Sequence, residues 1–346
     1  MSPSLRTFFG ANAAKRGAEA MAALSINLRL AAPRWLARHE TLLAALLIVA
    51  LIILGSFNER FLTIDNLLNQ GRLMTEVGLI ALPMTFVIIT GGIDLSVGSV
   101  VGLCAITLGY SWKTIGLPLP AAIAFAIAVG GLAGFLNGLL ITRLKVPPLI
   151  MTIATLALYR GLAEGISQAH SVRGYPEWFF FVGQGDWLGV PTQLWILFVA
   201  IVVAGVALDC TTFGRALYAI GNNETAARFS GLRVDRVKLV VYSLSGLMSG
   251  LSAYVLVSRV TTTRSDMGIG YELDVIAAVV LGGTSIFGGA GTIWGTVIGL
   301  VMIQLLKNGL ALTGVKGDAT IVVIGAVLIA STLIASSLQR RREHGG

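Results

Sequence analysis

The stretch Gly91-Gly92-Ile93-Asp94-Leu95-Ser96-Val97-Gly98-Ser99 lies between two long, uncharged apolar runs. Paired glycines release the backbone from a continuous helix. A carboxylate between apolar runs is costly unless charges or hydrogen bonds satisfy it. The Asp94 side chain can accept the free N–H groups of Ser96 or Val97 at the start of a helix. We therefore predict that one helix ends before Asp94 and that a second, capped by Asp94, begins at Leu95.

The composition is that of a membrane protein. Of 346 residues, 55% are hydrophobic and 12% are charged, whereas soluble domains average about 25% charged residues. The mean hydropathy is +0.83, and the 42 glycines suit helices that pack closely within lipid. An interrupted helix in a membrane is tolerated where it is buried in protein or lines a cavity, and many transporters bind their substrates at such interruptions.

Uncharged apolar stretches predict an all-α polytopic membrane protein with about ten transmembrane helices, some broken at glycine-rich motifs. The stretch 275–306 would be about 48 Å long as one helix, too long for a single span of about 30 Å. We therefore divide it at its glycines. The predicted spans are 41–58, 77–93, 95–112, 114–142, 146–164, 187–208, 239–258, the two parts of 275–306, and 319–338.

The distribution of basic residues predicts the orientation. Segments 1–40, 143–145, 209–238 and 339–346 hold 16 of the 25 Lys and Arg residues. Because cytoplasmic loops carry an excess of Lys and Arg, we expect these four segments, and thus both termini, to be cytoplasmic. The chain then divides into a basic N-terminal tail, a transmembrane domain over 41–338 and a short C-terminal tail.

The N-terminal tail leaves two interpretations open. It is too long and too interrupted by charges for a secretory signal peptide. Residues 21–38 could form an amphipathic helix on the membrane surface, or the whole tail could be disordered. The sequence does not decide between them, nor whether Met21 is the true start.

A second glycine-rich motif is similar to the first. Residues 87–92 read VIITGG, and residues 278–283 read AVVLGG. Glycine-interrupted segments at corresponding positions of two halves indicate a central pathway, although glycine-rich apolar sequences also match by chance. The candidate residues of the broken-helix motif are Gly91, Gly92, Asp94, Ser96, Gly98, Gly282 and Gly283.

Residues 209–238 form a long polar loop. Asn223 can cap a short helix that begins near Glu224 and ends at Gly231. Glu224 near the start and Arg228 near the end suit the helix dipole. Such a helix could dock a partner, although the stretch alone favours an ordinary amphipathic connector.

The chain lacks the sequence motifs of an ATPase, of a hydrolytic enzyme and of a metal site. The chain has no G-x-x-x-x-G-K-[ST] phosphate loop, so it is not itself an ATPase. Its three histidines are scattered, no H-E-x-x-H occurs, and Cys104 and Cys210 stand alone. We expect no catalytic residues, no metal site and no cofactor in this chain. The net charge of +8 follows the predicted topology and does not indicate nucleic-acid binding.

The chain contains three recognisable motifs: TGGIDLSVG over 90–98, YAIGNNETAARFSG over 218–231 and VVLGGTSIFGG over 279–289. In this order they resemble the motifs of the permease subunits of ribose-type sugar importers. These subunits belong to the branched-chain amino acid/monosaccharide permease family of ATP-binding cassette transporters. The resemblance covers roughly residues 41–338, and residues 101–106 and 264–266 are most similar to permeases for the autoinducer sugar and rhamnose.

The resemblance implies a transport subunit of a bacterial inner-membrane importer for a small sugar. It implies that two permease chains, identical or similar, form the pathway, that a cytoplasmic ATPase subunit hydrolyses ATP, and that a periplasmic sugar-binding protein delivers the sugar. Loop 209–238 would be the segment that couples to the ATPase. Its candidate coupling residues are Asn222, Asn223, Glu224, Ala226, Ala227, Arg228, Gly231 and Arg233.

Two other functions remain open at this point. The chain could be a related permease for nucleosides or branched-chain amino acids, or an ion-driven carrier in which Asp94 binds a cation. Polar residues in the predicted spans are substrate-pathway candidates, but helix-to-helix hydrogen bonds are an equal explanation. These candidates are Gln70, Glu76, Asn137, Tyr159 and Gln304.

The outer loops 170–186 and 259–272 are candidates for docking the binding protein. Charged and aromatic loop residues suit a transient interface, although local pairing within the loops would explain them equally well. The docking candidates are Arg173, Trp178, Arg259, Arg264 and Asp266.

Overall fold

The computed structural model describes residues 59–315 without a gap, and residues 47–49, 51–52, 55–56, 319, 322–323 and 325–326 are also described and helical. The predicted tails and most of the first and last predicted spans lie outside the described residues. The helices are α1 Ile64–Ile89, α2 Val97–Lys113, α3 Leu119–Leu144, α4 Pro148–Ser167, α5 Glu177–Gln184, α6 Thr192–Asp209, α7 Thr212–Asn222, α8 Glu224–Phe229, α9 Val234–Val260, α10 Tyr271–Leu281 and α11 Ile293–Leu312.

Six of these helices are long and apolar enough to cross a membrane: α1, α3, α4, α6, α9 and α11. The helices α2, with 17 residues, and α10, with 11 residues, are shorter. The structure therefore supports an all-α polytopic membrane protein, while the count of ten spans is not confirmed. Counting uncharged runs also misplaces the start of α1, which begins at Ile64 rather than residue 77 because charged residues are accommodated within the helix.

Helices α1 and α9 form the centre of the bundle. In their most apolar 18-residue windows, 83% of α1 and 61% of α9 residues are buried, against 22% in α4 and in α6. Helix α9 packs against α1, α2 and α3. The exposed sides of α4 and α6 carry apolar residues such as Ile153 and Phe198, as expected for faces that contact lipid.

Glycines allow α3 and α9 to approach closely. A Cβ atom on Gly134 would overlap the carbonyl oxygen of Tyr242, and one on Gly246 would overlap the carbonyl oxygen of Gly130. Small residues at such crossings bring helix backbones into van der Waals contact, which stabilises association within a bilayer. This crossing fixes α9 against the bundle.

The segment between α9 and α10, residues 261–270, lies along a glycine-lined face of α2. Strand β1, Val172–Arg173, pairs antiparallel with β4, Thr262–Thr263, and a small hairpin joins β2, Asp186–Trp187, to β3, Val190–Pro191. After β4 the backbone passes close to the glycines of α2, where Cβ atoms would contact or overlap it. The Arg160 guanidinium on α4 donates to the Met267 carbonyl at 3.0 Å and the Gly98 carbonyl at 3.2 Å. These contacts position the start of α10.

Candidate functional site

The first glycine break connects α1 to α2 through residues 90–96, and Gly91 has a left-handed backbone with φ of 77°. Asp94 lies in this connection with 1% of its surface exposed. Its Oδ1 accepts hydrogen bonds from the Ser96 N–H at 3.0 Å and the Ser96 hydroxyl at 2.6 Å. Its Oδ2 accepts from the Ser245 hydroxyl at 2.9 Å. Three donors therefore satisfy the buried carboxylate.

The predicted break is confirmed, but the predicted start of the second helix is wrong by two residues. Helix α2 begins at Val97, and the side chain of its N-cap residue, Ser96, makes no capping bond. Asp94 instead closes a turn onto Ser96. The Ser96 hydroxyl adds a second local donor to the carboxylate, which the capping pattern alone does not predict.

The break is joined to a buried chain of hydrogen bonds. Asn137 on α3 donates through Nδ2 to the Ser96 hydroxyl oxygen at 2.8 Å. Tyr159 on α4 donates to the Asn137 Oδ1 at 3.1 Å and to the Ala133 carbonyl at 2.9 Å. Asn137 and Tyr159 are both buried, so in this state these two pathway candidates act as helix-to-helix contacts. Among the described residues, no basic side chain forms an ion pair with Asp94.

The second break spans residues 282–292 between α10 and α11, as predicted. Gly283, Gly288 and Gly289 have φ values of 91°, 88° and 76°, a region that favours glycine because it has no Cβ atom. Gly282 lies so close to Gly295 on α11 that a Cβ atom on either glycine would overlap the other residue's backbone. The loop therefore turns sharply and returns beside its own starting helix.

The two breaks meet each other and the end of α7. The Gly289 N–H donates to the Ile89 carbonyl at 2.9 Å. A Cβ atom on Gly221 of α7 would overlap both the Ile89 carbonyl oxygen and the Gly289 nitrogen. The Tyr218 hydroxyl on α7 donates to the Gly291 carbonyl at 2.7 Å. We call this meeting of residues 89–91, 218–222 and 288–291 the glycine junction.

Neither Gly221 nor Tyr218 is among the candidate residues predicted from the sequence. Both lie inside the quoted motif over 218–231, but neither makes a signal of its own in the sequence. A single glycine one residue before Asn222 is weak evidence for a close backbone contact. Only the tertiary structure shows what Gly221 touches.

The predicted short helix in loop 209–238 is confirmed as α8, which covers six residues. The Asn223 side chain accepts from the Ala226 N–H at 2.9 Å, and Gly231 has φ of 83° after the helix ends. Ala226 is exposed. Ala227, also a candidate coupling residue, is instead buried in a small cluster with Ile220 and Val234, so its side chain is not available to a partner.

The charges of α8 are paired within the chain. Arg228 contacts Glu224 at 2.8 Å and Asp235 at 2.5 Å, and Lys238 contacts Glu224 at 2.6 Å. Burial alone would raise the pKa of Glu224, but hydrogen bonds from Lys238 and Arg228 hold it below its ordinary value of 4.5. The hydrogen bond to Asp235 raises the pKa of Arg228 above its ordinary range. These pairs attach α8 to the start of α9, while Arg233 is exposed.

Two other pathway candidates, Gln70 and Gln304, lie together between α1 and α11. The Gln304 amide donates to the Gln70 Oε1 at 2.8 Å. Asn66 and Asn308, which the sequence reading did not select, extend the contact with a mutual hydrogen bond of 2.8 Å. The four amide side chains form a polar seam between α1 and α11. Of the two predicted pathway residues in this seam, Gln304 is more exposed to solvent than Gln70.

Glu76 lies apart from this seam, in a buried ion pair. It is 1% exposed, and its carboxylate accepts from the Arg259 Nε at 2.6 Å and Nη2 at 3.1 Å. The Tyr271 hydroxyl donates to it at 2.7 Å. Arg259, a docking candidate in the last turn of α9, is thus bound to Glu76 on α1. The sequence predicts Glu76 in the substrate pathway and Arg259 in the docking surface, whereas the structure pairs them with each other.

The remaining docking candidates lie at the surface. Arg264 and Asp266 form an exposed ion pair with a contact of 2.7 Å. Strand pairing brings Arg173 opposite Thr262, so two of the predicted outer loops are joined. Trp178 is 53% exposed on α5. The structure brings Arg173 close to the chain segment of Arg264 but does not gather all five candidates into one patch.

A bundle of apolar helices has two glycine breaks that contact a polar connecting segment, residues 209–238. This architecture fits a membrane transport permease. Residues 64–332 match the sequence model of the family described as branched-chain amino acid transport system / permease component. The chain belongs to this family.

Curated relatives support the same assignment. The ribose import permease protein of Bacillus subtilis strain 168 is 43% identical over 290 residues, which is 83% of this chain and 90% of the relative. The ribose import permease protein of Escherichia coli K12 is 38% identical over 311 residues, 88% and 95% of the two chains. The autoinducer 2 import system permease protein of Escherichia coli K12 is 38% identical over 296 residues, 84% and 89%. These similarities confirm the resemblance to ribose-type permeases. No solved structure matches significantly.

Proposed function

We propose that the chain is the membrane-spanning subunit of an ATP-binding cassette importer that moves a small sugar across the bacterial inner membrane. The observation that carries this proposal is the glycine junction. The end of α7 touches the backbone of both breaks, at Ile89 and at Gly289. A displacement of the connecting segment therefore acts on both interrupted helices at once, which suits a transporter driven by a separate subunit.

The proposed topology has ten spans with both termini in the cytoplasm. It places the segment 209–238 in the cytoplasm, where an ATPase subunit binds it, and the loops with β1 and β4 on the periplasmic side, where a sugar-binding protein docks. A second permease chain, identical or similar, completes the pathway. Family membership supports the ATPase and binding-protein partners.

The proposed substrate class is a small sugar, with ribose as the first candidate. Support comes from the ribose permeases that are 43% and 38% identical, while the autoinducer 2 relative at 38% supports a related sugar-like substrate. The amides Gln70 and Gln304 supply donors and acceptors that suit hydroxyl groups. Branched-chain amino acids or nucleosides are the alternative class, and the description of the family names the former.

Uptake by the reconstituted complex tests the proposal. The permease, its ATPase subunit and its binding protein are placed in proteoliposomes, and uptake of labelled ribose, autoinducer 2, leucine and uridine is measured. We expect ATP-dependent, vanadate-sensitive uptake of one of the two sugar-type substrates. Uptake of leucine or uridine alone would overturn the sugar assignment. Uptake driven by an ion gradient without ATP would overturn the importer class.

A further inference from the structure

The loop of the second break exposes an apolar tip beside the connecting segment. Phe287 is 94% exposed, and its neighbour Ile286 is 41% exposed. Phe287 and Phe229, the last residue of α8 and 89% exposed, are the two most exposed large apolar side chains in the part of the chain that the structure describes. Exposed large aromatic groups of this kind are typical of surfaces that bind a partner.

The tip lies next to the end of α7 in the connecting segment. A Cβ atom on Gly288, the residue after Phe287, would lie 3.1 Å from the Gly221 carbonyl oxygen. A Cβ atom on Gly289 would lie 2.8 Å from the Asn222 Oδ1. Helix α8 begins two residues after Asn222. The loop of the second break therefore contacts the end of α7. Phe287 lies on this loop, and Phe229 lies at the end of α8, the helix that follows α7.

The surroundings of this surface are polar. Asn222 and Asn223 are exposed, and α8 carries exposed ion pairs between Arg228 and its carboxylate partners. Charged and amide groups of this density are costly in hydrocarbon, so the tip lies at the level of an aqueous segment rather than in the lipid interior. Two aromatic anchors with a polar rim are the usual anatomy of a protein interface.

We propose that Ile286 and Phe287 form a second contact for the cytoplasmic ATPase subunit, next to α8. This inference rests on the proposed function and adds a residue set to its coupling surface. The ATPase subunit would then have an apolar pocket for Phe287 next to its binding site for α8. The ATPase then acts on the second break directly, through Phe287, as well as through α7 and the glycine junction.

A photo-crosslinking experiment on the assembled complex tests the contact. The photoreactive amino acid benzoylphenylalanine is placed at position 287, at position 229 as the coupling-segment reference, and at position 198, an exposed aromatic position on α6. We expect crosslinks to the ATPase subunit from positions 287 and 229 and none from 198. Crosslinks from 287 only to a second permease chain or to lipid would overturn the inference. If position 229 crosslinks to the ATPase subunit and position 287 does not, the inference is overturned but the proposed function stands. If neither position crosslinks to the ATPase subunit, both proposals are overturned.

Truncation measures the strength of the contact. Phe287→Ala should weaken binding of the ATPase subunit about tenfold or more, as expected for an aromatic anchor, and Phe198→Ala should leave binding unchanged. Binding is measured by titrating the ATPase subunit onto the permease in nanodiscs. Because Phe287 is almost fully exposed, its removal should not alter the unfolding of the permease alone. Unchanged affinity for the Phe287→Ala variant would overturn the inference.

Discussion

Substitution of Asp94 separates the role of its charge from the role of its hydrogen bonds. In Asp94→Asn, the side-chain oxygen can still accept from the Ser96 N–H and hydroxyl, which lie at 3.0 and 2.6 Å from Oδ1. The new amide group faces the Ser245 hydroxyl, which can accept a hydrogen bond as well as donate one. In Asp94→Ala, all three donors lose their acceptor. We expect Asn to preserve folding and most transport, and Ala to lose both.

The magnitude follows from the number of buried donors left without a partner. Each costs about 1–3 kcal/mol, so the two Ser96 donors predict a loss of about 2–6 kcal/mol in the free energy of unfolding for Asp94→Ala. The Ser245 hydroxyl lies on a helix and can turn toward a backbone carbonyl, so it adds little. For Asp94→Asn, weaker uncharged hydrogen bonds are offset by removing a buried charge, and we expect a change of about 1 kcal/mol or less.

The assay combines a stability measurement with transport. The free energy of unfolding is measured by titrating detergent-solubilised permease with sodium dodecyl sulfate, and ATP-dependent uptake is measured in proteoliposomes. Ser245→Ala, which removes a single donor, is the matched control and should cost less than Asp94→Ala. Loss of uptake in a stable Asp94→Asn complex would show that the charge itself is required. A fully stable Asp94→Ala protein would refute the hydrogen-bond reasoning.

Three further predictions concern the packing of α3 against α9, the ion pair between Glu76 and Arg259, and helix α8 of the connecting segment. Gly134→Ala should lower the free energy of unfolding by about 1–3 kcal/mol through overpacking against α9. Gly131→Ala on the same helix, whose Cβ would have its nearest neighbour at 3.8 Å, should be neutral or gain up to about 1 kcal/mol; equal effects would contradict this reading. Glu76→Gln should cost about 3–5 kcal/mol because it leaves the Arg259 guanidinium without its counter-charge, and adding Arg259→Met should recover part of the loss in the same titration. Since the pKa of Glu224 is held below 4.5, the stability from its ion pairs is fully present above that pH and is lost as the pH falls through the lower folded-state value. Hydrogen exchange of the α8 amides, corrected for intrinsic rates, should therefore accelerate only below pH 4.5; acceleration near neutral pH would contradict the pairing.

Local signals allowed much of this protein to be predicted. Hydropathy identified a helical membrane protein, because a bilayer requires long apolar segments whose backbone hydrogen bonds are internal. Glycine pairs identified both breaks, since Gly91 and Gly283 adopt conformations that other residues rarely adopt. The Asn223 cap and the turn at Gly231 located α8 to within a residue or two. Each of these features depends on neighbours in the sequence.

The pairing of distant segments was decided by the tertiary structure alone. Asp94 finds Ser245 at a separation of 151 residues, and Glu76 finds Arg259 at a separation of 183. In a soluble protein the apolar face of a helix identifies its buried side, but in a membrane both the lipid-facing and the core-facing sides are apolar. Periodicity therefore could not predict which helix faces which. Helix α8 lies outside the apolar spans and has only six residues, too few for periodicity to show that Ala227 is buried against Ile220 and Val234. The glycine junction has the same origin, because the contact of Gly221 with Ile89 and Gly289 depends on how three separate segments pack.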